Sequence, residues 1–180
     1  MGDENIELAL LGFLFEEPKH GYELFKEVSD PIGIGEVYRL KIGKMYSILK
    51  KLENQKLICA SVQQDGNRPP KNLYHLTNTG QAAFKDWMSS PIKHGREFRI
   101  LFLLKLFFIN RNKTYDAKDL IFKQNQECRK WEKRILSTMD DPKINSSYQR
   151  MVKKYRLSQI EGYSKWLDWC ERTVNEKNNT

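Results

Sequence analysis

Between residues 41 and 54 the apolar side chains fall at Ile42, Met45, Ile48, Leu49 and Leu52. Spacings of three and four gather them on one face of an α-helix. At about 100° per residue, the opposite face carries Gly43, Ser47, Lys50 and Asn54, flanked by Lys44, Tyr46 and Lys51. A helix divided in this way hides one side and leaves a basic, hydrogen-bonding side in contact with something polar.

The segments around this helix fix its setting. Residues 6–15 are mostly apolar and read as a short, deeply packed helix that Pro18 ends. Residues 20–28 form a second helix with Tyr22, Leu24, Phe25 and Val28 as its apolar positions, and the Pro- and Gly-rich stretch 30–35 reads as a loop. After the third helix, residues 57–64 read as a strand. Residues 65–71 make a turn with a basic, proline-stiffened tip, and residues 72–76 return as a strand with Leu73 and His75 on one face and Tyr74 and Leu76 on the other. Thr77 is a natural N-cap for a fourth helix over 78–88. Three helices, a β-hairpin and a further helix make a winged helix-turn-helix.

Beyond a linker at 92–97 everything is helix-like: 98–109, then 116 to about 139, then 148–174, with a break at Asp140-Asp141-Pro142. The expected fold is mainly α, with a winged-helix domain over 1–91 and an all-α dimerisation domain over 92–180. Dimerisation is expected because so few helices carry so many aromatic side chains. Phe98, Phe102, Tyr155, Tyr163, Trp166, Leu167 and Cys170 are the residues assigned to it, and a two-fold dimer sets two recognition helices about one DNA turn apart.

Charge is uneven along the chain. Residues 1–38 hold two lysines against nine acids, whereas residues 39–71 hold eight bases against Glu53 and Asp65. A basic block that coincides with one helix and the following hairpin points to duplex DNA. Lys41, Lys44, Lys50 and Lys51 suit phosphates, and Ser47 suits a phosphate or a base edge. Gly43 lets the backbone approach the DNA. Tyr46 either gives its hydroxyl to a phosphate or packs on the wing. Arg68 and Lys71 at the hairpin tip suit the neighbouring minor groove or backbone. The alternative reading is a winged-helix module that binds a protein or RNA and no duplex.

Other function classes find little support. His20, His75 and His94 sit on three separate elements, and no nucleophile elbow, P-loop, dinucleotide or zinc-protease motif occurs. No enzyme, cofactor or metal is therefore expected. Cys59, Cys128 and Cys170 have no metal-ligand spacing and read as small buried hydrophobes. The apolar run 100–109 is too short to span a bilayer and contains Lys105. Met1 to Asn5 is acidic where a signal peptide is basic. A cytoplasmic protein without a membrane partner is expected.

Four segments, in order, resemble the PadR family of transcriptional regulators: Leu8-Ala9-Leu10-Leu11-Gly12-Phe13-Leu14, His20-Gly21-Tyr22-Glu23-Leu24, Gly43-Lys44-Met45-Tyr46-Ser47-Ile48-Leu49-Lys50-Lys51-Leu52-Glu53, and Tyr74-His75-Leu76-Thr77-Asn78-Thr79-Gly80. Less specifically, Gly162-Tyr163-Ser164-Lys165-Trp166-Leu167 resembles the helical dimerisation part of one subgroup. The resemblance implies a homodimeric repressor on a pseudo-palindromic operator, with Tyr22 near a phosphate and final helices packing on the other subunit's winged domain. It also implies a small aromatic effector near the dimer seam, where Trp131, Trp166 and Trp169 are candidates. At helical spacing these tryptophans read as core, so no defined ligand is assigned. Two departures stand out. Lys56 occupies a position where the family turns with Gly, which is expected to shift the turn locally. Pro69-Pro70 stiffen the wing where relatives are more basic or polar.

Overall fold

The computed structural model describes residues 3–64, 66, 69–112, 115–139 and 146–177. Its elements run in the order α1 (Asp3–Glu16), β1 (Lys19–His20), α2 (Gly21–Val28), α3 (Ile34–Val37), α4 (Ile42–Asn54), β2 (Ile58–Gln63), β3 (Lys71–Leu76), α5 (Asn78–Ser89), α6 (Gly95–Arg111), α7 (Ala117–Leu136) and α8 (Ser147–Lys177). The winged-helix order expected from the sequence is present. Two short elements were not anticipated: β1, formed where only a turn was expected, and the single turn α3 inside the stretch read as a loop.

The chain divides into two compact units. One comprises residues 1–89 with 97–114, the other residues 90–96 with 115–180. A single cut at 91/92 does not reproduce this division, because most of α6 clusters with the winged helix.

In the first unit, the core takes Leu10, Leu11, Phe13 and Leu14 from α1, Leu24 and Val28 from α2, and Met45, Ile48, Leu49 and Leu52 from α4. Phe84, Trp87 and Met88 of α5 and Leu101, Phe102, Leu104 and Phe108 of α6 complete it. Phe108 meets Phe13 and Phe84 edge-on, at centroid distances of 5.2 and 5.4 Å, the offset that ring quadrupoles favour. The sheet has the order β1-β3-β2, all antiparallel. Ile58 pairs with Leu76 and Gln63 with Lys71 across the wing, and Lys19 pairs with Tyr74 on its other side. Of the hairpin face expected to pair Tyr74 with Leu76, Tyr74 is buried and Leu76 half-buried.

The turn from α4 to β2 runs through Lys56. Lys56 adopts φ 59. Its N–H donates to the Glu53 carbonyl at 2.9 Å, and the Leu57 N–H donates to the Leu52 carbonyl at 3.0 Å. These are the two bonds of a Schellman closure. The non-glycine residue absorbs the strain of a left-handed conformation, of order 1 kcal/mol. Thr77 caps α5 as expected: its hydroxyl oxygen accepts from the Gly80 N–H at 3.0 Å, and the hydroxyl reaches the carbonyl oxygens of Lys56 and Leu57 at 2.7 and 3.0 Å.

The first unit also buries charge. Lys105 of α6 is 1% exposed and donates to the Trp87 carbonyl at the end of α5, with its ammonium 4.9 Å from the Trp87 ring centroid. Burial pulls its pKa down to about 7, against the pull of Asp86. Lys19 is buried between Glu17 and Glu27, at 2.5 and 2.8 Å.

The second unit is built on α7 packed against α8. The Asp116 carboxylate caps α7 by accepting from the Lys118 N–H at 2.8 Å. Leu120, Ile121, Cys128, Trp131 and Ile135 of α7 and Ile160, Leu167 and Cys170 of α8 are buried. Gln124 is fully buried: its carbonyl oxygen accepts from the Ile92 N–H at 2.6 Å and its amide donates to the Ile92 carbonyl at 3.1 Å. Burial pushes the Cys128 thiol up to about 11. Cys128 and Cys170 are thus the buried hydrophobes expected, but Cys59 is exposed on β2. Alternation along the wing turns Cys59 away from the core that the preceding Ile58 enters.

Among the described residues no helix is long and apolar enough to cross a membrane, and no cluster of three or more His, Cys, Asp or Glu could hold a metal ion.

Candidate nucleic-acid interface

Met45, Ile48, Leu49 and Leu52 anchor α4, so its other face is left to solvent. Lys41, Gly43, Lys44, Ser47 and Lys50 are all exposed there. Lys41 is the N-cap residue, and no side chain caps the helix start. The first N–H groups therefore face outward, in the arrangement that accepts an anion. Among the described residues nothing lies within 4 Å of a Cβ placed on Gly43, so the start of the helix is open to a close approach.

Two residues assigned to α4 behave differently from expectation. Ile42 is 44% exposed, not part of the buried stripe. It occupies the first turn, beyond the last core residue, Met45, where no element covers it. Lys51 does not stand clear for a phosphate. Its ammonium lies 2.8 and 3.0 Å from the carboxylate oxygens of Glu7, whose side chain is buried. This pair ties α4 to α1, and its positive charge answers a buried carboxylate that would otherwise be costly. The sequence signal for it was a lone Glu7 inside the apolar helix 6–15.

Beside α4, a cleft of about 570 Å³ opens between the start of α2 and the returning wing strand. His20, Tyr22, Tyr46, Pro70, Lys71 and Tyr74 are among its lining residues. Two hydrogen bonds of His20, one local and one across to β3, hold it in shape. The His20 backbone N–H donates to the Glu23 carboxylate at 2.8 Å, and the His20 Nδ1 donates to the Asn72 carbonyl at 2.9 Å. The His20 ring thus pins the start of α2 to β3.

Tyr46 settles onto α2. A Cβ at Gly21 would stand 2.8 Å from the Tyr46 ring, so only glycine permits this contact. Tyr46 is 46% exposed and Tyr22 55% exposed, with the Lys26 ammonium 5.1 Å from the Tyr22 ring centroid. Both tyrosines line the same cleft as Lys71. Tyr46, Tyr22 and Lys71 therefore meet in one place although 24 or more residues separate each from the next. Arg68, also assigned to the wing tip, lies outside the described residues.

The residues assigned to dimerisation separate into two groups. Phe98 and Phe102 are buried, stacked on each other with centroids 5.0 Å apart, and Leu167 and Cys170 are buried as well. These four present no surface to a second chain, because single-chain packing already consumes it. Tyr163 and Trp166 are half-buried, and the Tyr163 hydroxyl donates to the Gly95 carbonyl at 3.2 Å. Tyr155 is 62% exposed. Among the described residues of this unit, Phe122 of α7 and Tyr148, Tyr155 and Trp169 of α8 are the exposed aromatic side chains, and only Tyr155 of these was assigned.

Comparison with known proteins places the winged helix. A family model described as "Transcriptional regulator PadR-like family" matches residues 10–86. The chain is similar to the negative transcriptional regulator PadR of Bacillus subtilis, 28% identical over 125 residues covering 68% of this chain and 66% of that protein. It is also similar to the probable transcriptional regulator Rv1176c of Mycobacterium tuberculosis, 28% identical over 91 residues covering 51% of this chain and 47% of that protein. The chain thus spans just under two thirds and about half of the length of these curated relatives. Among solved structures, it is similar to Bacillus subtilis PadR in complex with operator DNA: 22% identity, 94% of this chain, 98% of that chain, TM-score 0.47. A further likeness is to smu.1604c from Streptococcus mutans UA159: 26% identity, 90% and 95% coverage, TM-score 0.45. It is through residues 10–86, which carry the α2–α4 geometry and the wing described above, that this chain is similar to the PadR-like family of transcriptional regulators.

Proposed function

We propose that this protein is a homodimeric repressor that binds a pseudo-palindromic duplex DNA operator in the cytoplasm. The observation that carries this reading is the division of α4: Met45, Ile48, Leu49 and Leu52 are buried, and Lys41, Gly43, Lys44, Ser47 and Lys50 are exposed on the other side. In this reading α4 enters the major groove, Lys44 and Lys50 neutralise phosphates, and Tyr22, Tyr46 and Lys71 hold the adjoining backbone in their cleft. The repressor sign follows the curated relative's designation as a negative regulator.

The test is a gel shift with DNA from upstream of the protein's own gene, repeated over a range of salt concentrations. Lys44→Ala with Lys50→Ala is expected to weaken binding about 10- to 100-fold and to lower the salt slope by about 2, at an unchanged melting temperature. Undiminished affinity in the double variant overturns the assignment of α4. RNA bound as well as duplex, with no operator preference, returns the chain to the reading as a protein- or RNA-binding module.

A small aromatic effector belongs to this reading by family resemblance. p-Coumaric acid, the ligand in a structure of Bacillus subtilis PadR, is a suitable probe, with release of the operator as the expected outcome.

A further inference from the structure

Ile42, the first residue of α4, keeps the spacing of the buried stripe but is 44% exposed. Its neighbours Lys41, Gly43 and Lys44 are exposed too, and so is Ser47 further along the helix. Tyr46, four residues later and therefore on the same flank, is 46% exposed. An apolar, branched side chain thus stands at the tip of a basic, hydrogen-bonding surface.

The helix itself gains little from isoleucine there. Branching at Cβ makes it a poorer helix former than Ala, Lys or Gln, and its outward surface adds nothing to the core. A helix start favours acidic side chains, because its free N–H groups carry partial positive charge. The first turn of α4 holds no acid. This start is therefore left to an anion from outside the chain, and Ile42 adds apolar surface beside it.

The chemistry of a duplex narrows what that surface can meet. Phosphate oxygens suit Lys41 and Lys44, and the donors and acceptors of the base edges suit Ser47. The apolar group on a major-groove edge is the C5-methyl of thymine. The N-terminal residues of a recognition helix are the ones that reach base edges. Gly43, next to Ile42, leaves room for the helix start to come that close.

We propose that Ile42 is a specificity-determining residue whose side chain packs on the C5-methyl group of one thymine in each half of the operator. This rests on the homodimeric duplex-DNA reading of the proposed function and adds to it the base that one residue selects. Lys41 and Lys44 hold any duplex, whereas Ile42 discriminates between sequences.

Thymine and uracil both pair with adenine and differ in that methyl alone, so exchanging one for the other tests the contact. The operator found by gel shift is prepared in two forms, with thymine or with uracil throughout, and titrated with the full-length chain. Burying one methyl group is worth about fourfold in affinity, so two half-sites are expected to give the wild-type protein a preference for thymine of about 15-fold. Ile42→Ala is expected to lower that preference about 5-fold or more, and Ile42→Val, which keeps a branched apolar tip, to hold most of it. Any change of duplex shape caused by uracil acts on all three proteins and cancels in the comparison. Single thymines are then restored to the uracil duplex, one pair of symmetry-related positions at a time. One such pair is expected to recover the preference for the wild-type protein and not for Ile42→Ala. A wild-type protein indifferent to uracil overturns the proposal. So does a preference that Ile42→Ala retains in full, since the methyl is then read by another residue. In both cases specific binding of the operator leaves the DNA reading of α4 standing. Absence of specific binding to either duplex overturns both.

Discussion

The winged-helix unit and the helical unit deal with the same difficulty in different ways. Both contain more aromatic and charged side chains than a small fold places easily. The winged helix answers its buried groups internally: Glu7 by Lys51, Lys19 by Glu17 and Glu27, and Lys105 by the Trp87 carbonyl. Its exposed surface includes the polar face of α4 and the adjoining cleft. The helical unit buries one face of α8 on its own residues and leaves Tyr148, Met151, Tyr155 and Trp169 in solvent. The difference follows from geometry. Three layers of helix and a sheet can surround a helix, whereas one neighbouring helix covers only one of its faces. Aromatic content alone therefore does not locate an interface. Phe98 and Phe102 satisfy the same composition argument as Tyr155 and are core.

The comparison breaks most visibly through Lys105, because an internal answer for a buried ammonium is incomplete. Its pKa is about 7 in the folded chain and near 10.4 when unfolded. Between these values the unfolded state binds the extra proton, so stability rises as pH rises from about 7 to 10, by at most about 1.4 kcal/mol per unit. Below pH 7 both states are protonated and this contribution is flat. Urea unfolding of Lys105→Met across pH 6–10 is expected to show that slope reduced, and an unchanged slope removes Lys105 as its source.

Crowding in the winged helix gives the next effect. A Cβ on Gly80 would stand 2.0 Å from the Leu57 carbonyl oxygen. Gly80→Ala is expected to cost about 3 kcal/mol in chemical denaturation, despite alanine's better helix propensity. A cost below about 1 kcal/mol shows that the α5–β2 junction yields more than its packing suggests.

The helical unit has its own buried polar clasp, and Gln124→Leu probes it. The substitution leaves the N–H and carbonyl of Ile92 without their Gln124 partner, an expected loss of about 2 kcal/mol. A neutral result means that the unit is held by its apolar face alone.

The smallest effect sharpens the account of strain. Lys56→Gly relieves a left-handed residue and is expected to stabilise the chain by roughly 0.5–1 kcal/mol. Destabilisation shows that the Lys56 side chain contributes more than the turn costs.

Much of the winged helix was legible in the chain because its signals are local. The stripe Met45, Ile48, Leu49 and Leu52, the alternation of the wing and the cap at Thr77 each depend on neighbours within a few residues. Other features were not local. β1 is two residues long, and its partner Tyr74 is 55 positions from Lys19, so no short window reveals the pairing. Ile42 fits the apolar period but falls past the end of the core. Lys51 looks like its neighbour Lys50 until Glu7, 44 residues earlier, comes within hydrogen-bond reach.

The sequence by itself determined the longer elements, though not β1 or α3, and which face of α4 is apolar, since helical and strand periods are written in consecutive side chains. Tertiary structure alone decided which lysine on α4 pairs with a buried carboxylate, which aromatic residues become core, and that Tyr22, Tyr46 and Lys71 share one cleft. Those outcomes depend on distances between residues far apart in the chain, and such distances exist only after the elements have packed.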